Sequence, residues 1–112
     1  MPQQEAPPDF QSAIRKAAAQ RLLFLPHAIR QMSRLDRLIE PVDVRTVIKD
    51  GEIIEDYPED SRGHSVLMLG RGLDGRPIHV VCAPKEEFLT IITAYLPERR
   101  EWLEDFRIMT AR

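Results

Sequence analysis

Through the first fifty positions apolar residues recur every three or four places, and after Gly51 they alternate or run together. That change of period divides the chain into a helical part and an extended part. Asp9 is a good helix N-cap, and the strong helix formers of FQSAIRKAAAQRLLFL follow it. Phe10, Ile14, Ala17 or Ala18, and Leu22 fall at helical spacing, so the pattern predicts a helix over residues 10–25. Pro26 ends that helix or opens the next, in which Ala28, Met32 and Leu35 share one side. Pro41 restarts a short helix with Val44, Val47 and Ile48 as its apolar stripe, and Gly51 is placed to stop it as a C′ residue.

Four segments then read as strands: EIIEDY, HSVLMLG, RPIHVVCA and FLTIITAY. Their connectors, PEDSRG, RGLDG and APKEE, carry turn chemistry and are too short for helical crossovers, so the strands form an antiparallel meander. From Pro97 the tail becomes helix-compatible, with Trp102, Phe106 and Met109 spaced to anchor it. The expected fold class is therefore α+β: N-terminal helices on one face of a four-stranded antiparallel sheet, then a short C-terminal helix. Residues 1–9 are expected to be a flexible N-terminus, residues 10–25 a helix, and residues 26–112 a single α+β domain.

At 112 residues, 30% charged and 43% hydrophobic, the composition suits one modest core. A net charge of -2 argues against a broadly basic nucleic-acid-binding surface. Arg30, Arg34 and Arg37 cluster within one segment, either as a local basic patch or as a solvated helix face. The single cysteine, Cys82, sits in an apolar strand; it reads as a small core residue, and with no thiol to pair with it points to a reducing compartment. No apolar run is long enough to span a membrane, and the first ten residues lack the order of a signal peptide. A cytoplasmic location is expected.

The third strand sets one titratable ring into a β-branched run. Alternation puts His79, Val81 and Ala83 on one face and Ile78, Val80 and Cys82 on the other. On the fourth strand Thr93 and Tyr95 share a face with Leu89 and Ile91, opposite Phe88, Thr90, Ile92 and Ala94. The purely apolar set, Ile78, Val80, Cys82, Phe88, Ile92 and Ala94, is assigned to the helix side. His79, Thr93 and Tyr95 then gather on a more open face, with His79 opposite Thr93 and Arg76 at the rim. Such a cluster would bind a phosphate or move a proton; equally, threonine and tyrosine are ordinary strand residues and histidine often sits half-buried with one hydrogen bond.

Several motifs in order resemble the family catalogued as domain of unknown function 4258. They are His27, Ala28 and Met32; Gly51, Glu52 and Ile54; Tyr57 and Pro58; Gly75 through Val81; Ile92, Thr93, Tyr95 and Pro97; and Trp102. The resemblance covers about residue 26 to the end, which makes the helix at 10–25 an addition. SRLDRLIEP is about two residues longer than the family's turn, so either Arg34 or Arg37 answers to its arginine. The family's element order looks like that of RelE-like ribonuclease toxins, which cleave RNA without metal; this is likeness of fold, which does not fix function.

Two functions compete. The first is a metal-independent ribonuclease or toxin relative: His79 as general acid or base, Thr93 or Tyr95 positioning it, and His27, Arg30 and Arg76 binding phosphate. Its partner would be RNA. The second is a non-catalytic module that binds a cognate protein partner or forms a homo-oligomer, because HSVLMLG and FLTIITAY are apolar on both faces. No cofactor or metal is expected: the three histidines, His27, His64 and His79, show no ligand spacing, and GRGLDG is a hairpin turn rather than a phosphate loop.

Overall fold

Alanine-rich sequence between Pro8 and Gln20 forms the first helix, α1, and buries Ile14, Ala17 and Ala18 on one stripe. A computed structural model of the protein describes residues 8–98 together with 102–103 and 108–109. The helix expected over residues 10–25 ends at Gln20, and Leu22–Phe24 becomes a short strand, β1. It runs parallel to β5 (Leu89–Tyr95). Leu89 N–H donates to Arg21 O at 2.8 Å and Leu25 N–H to Ile91 O at 3.1 Å, so β5 finds partners along its outer edge. Satisfying that row of backbone groups outweighs the helix preference of two leucines.

Proline opens each of the next two helices, α2 (Pro26–Met32) and α3 (Pro41–Asp50), where its missing N–H costs nothing. A reciprocal capping box between Glu40 and Asp43 fixes the start of α3. Gly51 does follow α3, but its φ of -83° is extended rather than left-handed. Glycine is required there by crowding: a Cβ would lie 2.5 Å from Val47 O and 2.6 Å from Leu69 O.

The meander follows as β2 (Glu52–Tyr57), β3 (Ser65–Arg71), β4 (Pro77–Pro84) and β5. With β1 added, the sheet is five-stranded and mixed, in the order β1-β5-β4-β3-β2, rather than four-stranded and antiparallel. All three helices pack on one face. Their Ile14, Ala28, Met32, Val44, Val47 and Ile48 join Val66, Met68, Ile78, Val80 and Cys82 in one core. Each fully buried aliphatic side chain contributes roughly 1.5–3 kcal/mol.

The register of β4 against β5 differs from the expected one by two residues. His79 lies opposite Tyr95, and Thr93 lies opposite Val81. One residue of the shift comes from the turn, closed by Lys85 N–H donating to Phe88 O at 2.8 Å. The other comes from a β-bulge at Ile92, which leaves Cys82 opposite Ile91. Two single-residue steps restore parity at His79 but reverse it beyond the bulge. Leu89 and Ile91, expected on the far face, therefore join the helix-side core in place of Phe88 and Ile92.

The far face is not the open one that was expected. Leu67 and Leu69 are buried there against Ile54 and Val81, and His79 and Ser65 are fully buried. The tail, expected as a helix, is extended where it is described: β6 (Trp102–Leu103) pairs antiparallel with β7 (Ile108–Met109). The rest of that expected helix, including Phe106, and residues 1–7 of the expected flexible N-terminus lie outside the described residues. Among the described residues no helix is long and apolar enough to cross a membrane.

Candidate functional site

Strand alternation carries His79 to the side of the sheet away from the helices, because Ile78 and Val80 on either side of it belong to the helix-side core. Its Nδ1 lies 3.3 Å from the Tyr95 hydroxyl, within hydrogen-bond reach. The two rings meet edge to face, with centroids 5.3 Å apart and planes at 69°. Thr93 is half-buried opposite Val81, one diagonal step from His79. Imidazole, phenol and hydroxyl thus share one face, but the imidazole has no solvent exposure.

The other predicted site residues are not gathered around it. His27 and Arg30 are exposed on α2, whose Ala28 and Met32 pack into the helix-side core. The sheet therefore stands between them and His79. Arg76 does lie just before β4, yet its guanidinium is committed: one nitrogen donates to Arg37 O at 2.5 Å and another to Leu38 O at 3.3 Å. Asp74 forms an ion pair with it at 2.5 Å. Hydrogen bonding by Arg76 N–H, with the nearby guanidinium, holds the Asp74 carboxyl below the usual range.

That clamp has a twin. The buried Asp43 accepts Glu40 N–H at 3.0 Å with one carboxylate oxygen and Leu73 N–H at 2.9 Å with the other. Gly72 leaves room for it: a Cβ there would stand 2.7 Å from the same oxygen that Leu73 reaches. Together Arg76 and Asp43 tie the β3–β4 hairpin to the connection between α2 and α3. The junction so built is apolar outside. Leu35 is 88%, Leu73 68% and Leu38 57% exposed, and Ile29 is exposed on α2. Leu38 also holds a left-handed backbone at φ +51°, a conformation costly for a branched side chain. Charges of both signs border these leucines: the exposed Arg34–Asp36 pair at 3.2 Å, Glu40, and Asp74 with Arg76.

A further pair was not foreseen. His64 Nε2 lies 2.5 Å from an Asp56 carboxylate oxygen, and the His64 ring stacks on Phe10 of α1 at 4.0 Å. The Asp56 side chain is almost wholly buried. The legible signal was the hairpin itself, which folds residue 56 back against residue 66 and so brings residue 64 near. Close by, Asp60 accepts from the Arg62 guanidinium, Arg62 N–H and the Ser65 hydroxyl, which hold its carboxyl well below the usual range. Cys82 is fully buried, and burial pushes its thiol up to about 12, so it is not a nucleophile. Among the described residues no group of three or more His, Cys, Asp or Glu side chains is arranged to hold a metal ion.

No curated protein and no solved structure matches the chain. A family model does match, over residues 24–96, which runs from the last residue of β1 through β5 and includes both features just described, the His79–Tyr95 contact and the clamped junction. The helix α1 precedes the match, and Phe10 and Arg15 fasten it to the matched part through His64, Ile48 O and Gly51 O. The chain belongs to the family described as Domain of unknown function (DUF4258).

Proposed function

We propose that the chain is a non-catalytic association module that pairs with a second copy of itself through the junction of the α2–α3 connection and the β3–β4 hairpin. Leu38 carries this reading. It bears two costs at once, an exposed leucine and a left-handed backbone, and two Arg76 hydrogen bonds to this segment hold it there. Strain of this kind gathers at functional surfaces. Leu35 and Leu73 add exposed apolar side chains, and the exposed Arg34–Asp36 pair brings charges of both signs, which suits a two-fold contact in which each patch meets its own image. A reducing compartment such as the cytoplasm suits the lone buried thiol. Sedimentation velocity from micromolar to near-millimolar protein tests the reading. A concentration-dependent dimer that Leu38→Asp abolishes, at unchanged melting temperature, is expected; a monomer throughout the range rejects it.

A second reading rests on the His79–Tyr95 contact. In a RelE-like ribonuclease relative, His79 would exchange a proton with the ribose 2′-hydroxyl while Tyr95 and Thr93 position it. Burial of His79 requires that face to open first, and phosphate binding by His27 and Arg30 would have to come from across the sheet. Labelled RNA separates the readings. Cleavage lost in Tyr95→Phe, with the fold intact, supports the enzyme; uncut RNA dismisses it.

A further inference from the structure

We propose that the groove between α1 and α3 is a docking site for an acidic amphipathic helix of another protein. The groove has a volume of about 440 Å³. Its floor is apolar, formed by Ala18, Val42 and Ile48. Its rim carries Arg15, Arg45 and Lys49, and no acidic side chain is among the described lining residues. In a chain whose net charge is -2, three cations around an apolar floor are a local reversal of sign. Arg15 is held in place there, its Nε donating to Ile48 O at 3.2 Å and a terminal nitrogen to Gly51 O at 3.3 Å.

At about 1.5 Å per residue, the lining runs about 11 Å along α3 from Val42 to Lys49 and about 6 Å along α1 from Arg15 to Ala19, which is the length of about two helical turns at most. A helix laid between them would present apolar anchors at i, i+3 or i+4 and i+7 to the floor. Asp or Glu on its flanks would meet the rim, where opposite charge speeds association and selects against basic helices. The α1 wall lies outside the matched family region, so this groove is a feature that the extra helix adds. The inference rests on the chain being a binding module but not on self-association, which uses Leu35, Leu38 and Leu73 instead.

A display library of helix-forming peptides, with all residue types allowed at exposed positions, is selected against the full chain. Enrichment of peptides with Glu or Asp flanking an i, i+4 apolar stripe is expected. Amide chemical-shift changes should centre on Ala18, Val42, Arg45 and Lys49, and the doubly substituted Arg45→Glu, Lys49→Glu chain should bind at least tenfold more weakly. Enrichment of basic or neutral peptides, shifts centred elsewhere, or no enrichment overturns the proposal. So does displacement of the selected peptides by dodecanoate at its own saturating concentration, which would assign the groove to a fatty carboxylate. The Arg45→Glu, Lys49→Glu chain should sediment as wild type does, and Leu38→Asp should still bind the peptides, so each idea can fail alone.

Discussion

The sheet face that holds His79 and the junction that holds Leu38 divide polarity in opposite ways. On the sheet face a titratable ring has no exposure, and a phenol hydroxyl lies 3.3 Å from it. At the junction, polar groups form the inner fastening and leucines lie outside. A buried polar group with a partner is a structural solution, because leaving it unmade costs more than making it gains. An exposed leucine in a strained backbone solves nothing for the isolated chain. The contrast teaches that residue type and setting point to different surfaces: the histidine draws attention by chemistry, the leucine by its setting.

The largest expected effect breaks that comparison on the sheet side. His79→Ala leaves a cavity at a fully buried position and removes one contact of Tyr95, so denaturant unfolding should show a loss of about 3 kcal/mol. Leu35→Ala, at the exposed junction, should change stability by less than ~0.5 kcal/mol. Equal losses at the two positions would erase the distinction. Next comes Asp43→Ala, which takes a carboxylate from the Glu40 and Leu73 amides together. Unmaking the cap and one buried amide contact should cost about 2 kcal/mol in the same measurement. It should also weaken self-association, because the hairpin would lose one of its two ties to the junction.

Much of this was legible in sequence, and the reasons for the gaps are physical. The β2, β3 and β4 segments announced themselves through β-branched runs bounded by Gly and Pro. The Leu22–Phe24 strand did not, because three large apolar residues suit helix and strand alike and its partner lies at residues 89–91. Alternation gave the side on which His79 sits, but it says nothing of what covers a face, so the expected opening was wrong. The bulge at Ile92 has no local signature, and with it went the assignment of Leu89 and Ile91. Arg76 was legible as a cation near the site but not as a clamp, since its acceptors are backbone carbonyls at residues 37 and 38. Leu38 ends a local turn in which Arg37 N–H and Leu38 N–H both donate to Arg34 O, but with no glycine or asparagine at that position its left-handed backbone had no signal in the sequence.

The β2–β3 turn sharpens the comparison with a third setting, charge held near the surface. Three donors hold the Asp60 carboxyl below its unfolded value of about 3.9, the Arg62 guanidinium foremost. On acidification the unfolded chain therefore takes up the proton first. The stabilisation from this group is complete above about pH 5 and is lost as pH falls through the folded value. The Arg62 side chain is 55% exposed, so solvent screening keeps the effect to roughly 1 kcal/mol at pH 7. Asp60→Asn should show that loss at pH 7 and approach wild type as the pH is lowered below about 4, followed by urea titrations at each pH.

The smallest effect bears hardest on the proposed function. Glycine at position 38 would adopt the left-handed backbone without strain, at the cost of extra freedom in the unfolded chain. Loss of an exposed leucine removes little folding energy, so Leu38→Gly should leave stability within about 0.5 kcal/mol of wild type. The carbonyl that Arg76 reaches is a backbone group and survives the change. Self-association should nevertheless fall at least tenfold in sedimentation velocity, because the proposed contact would lose its central side chain. If Leu38→Gly instead destabilises by about 2 kcal/mol or more, the leucine is holding the fold together. The strain at this position would then be a packing compromise rather than the mark of a contact surface.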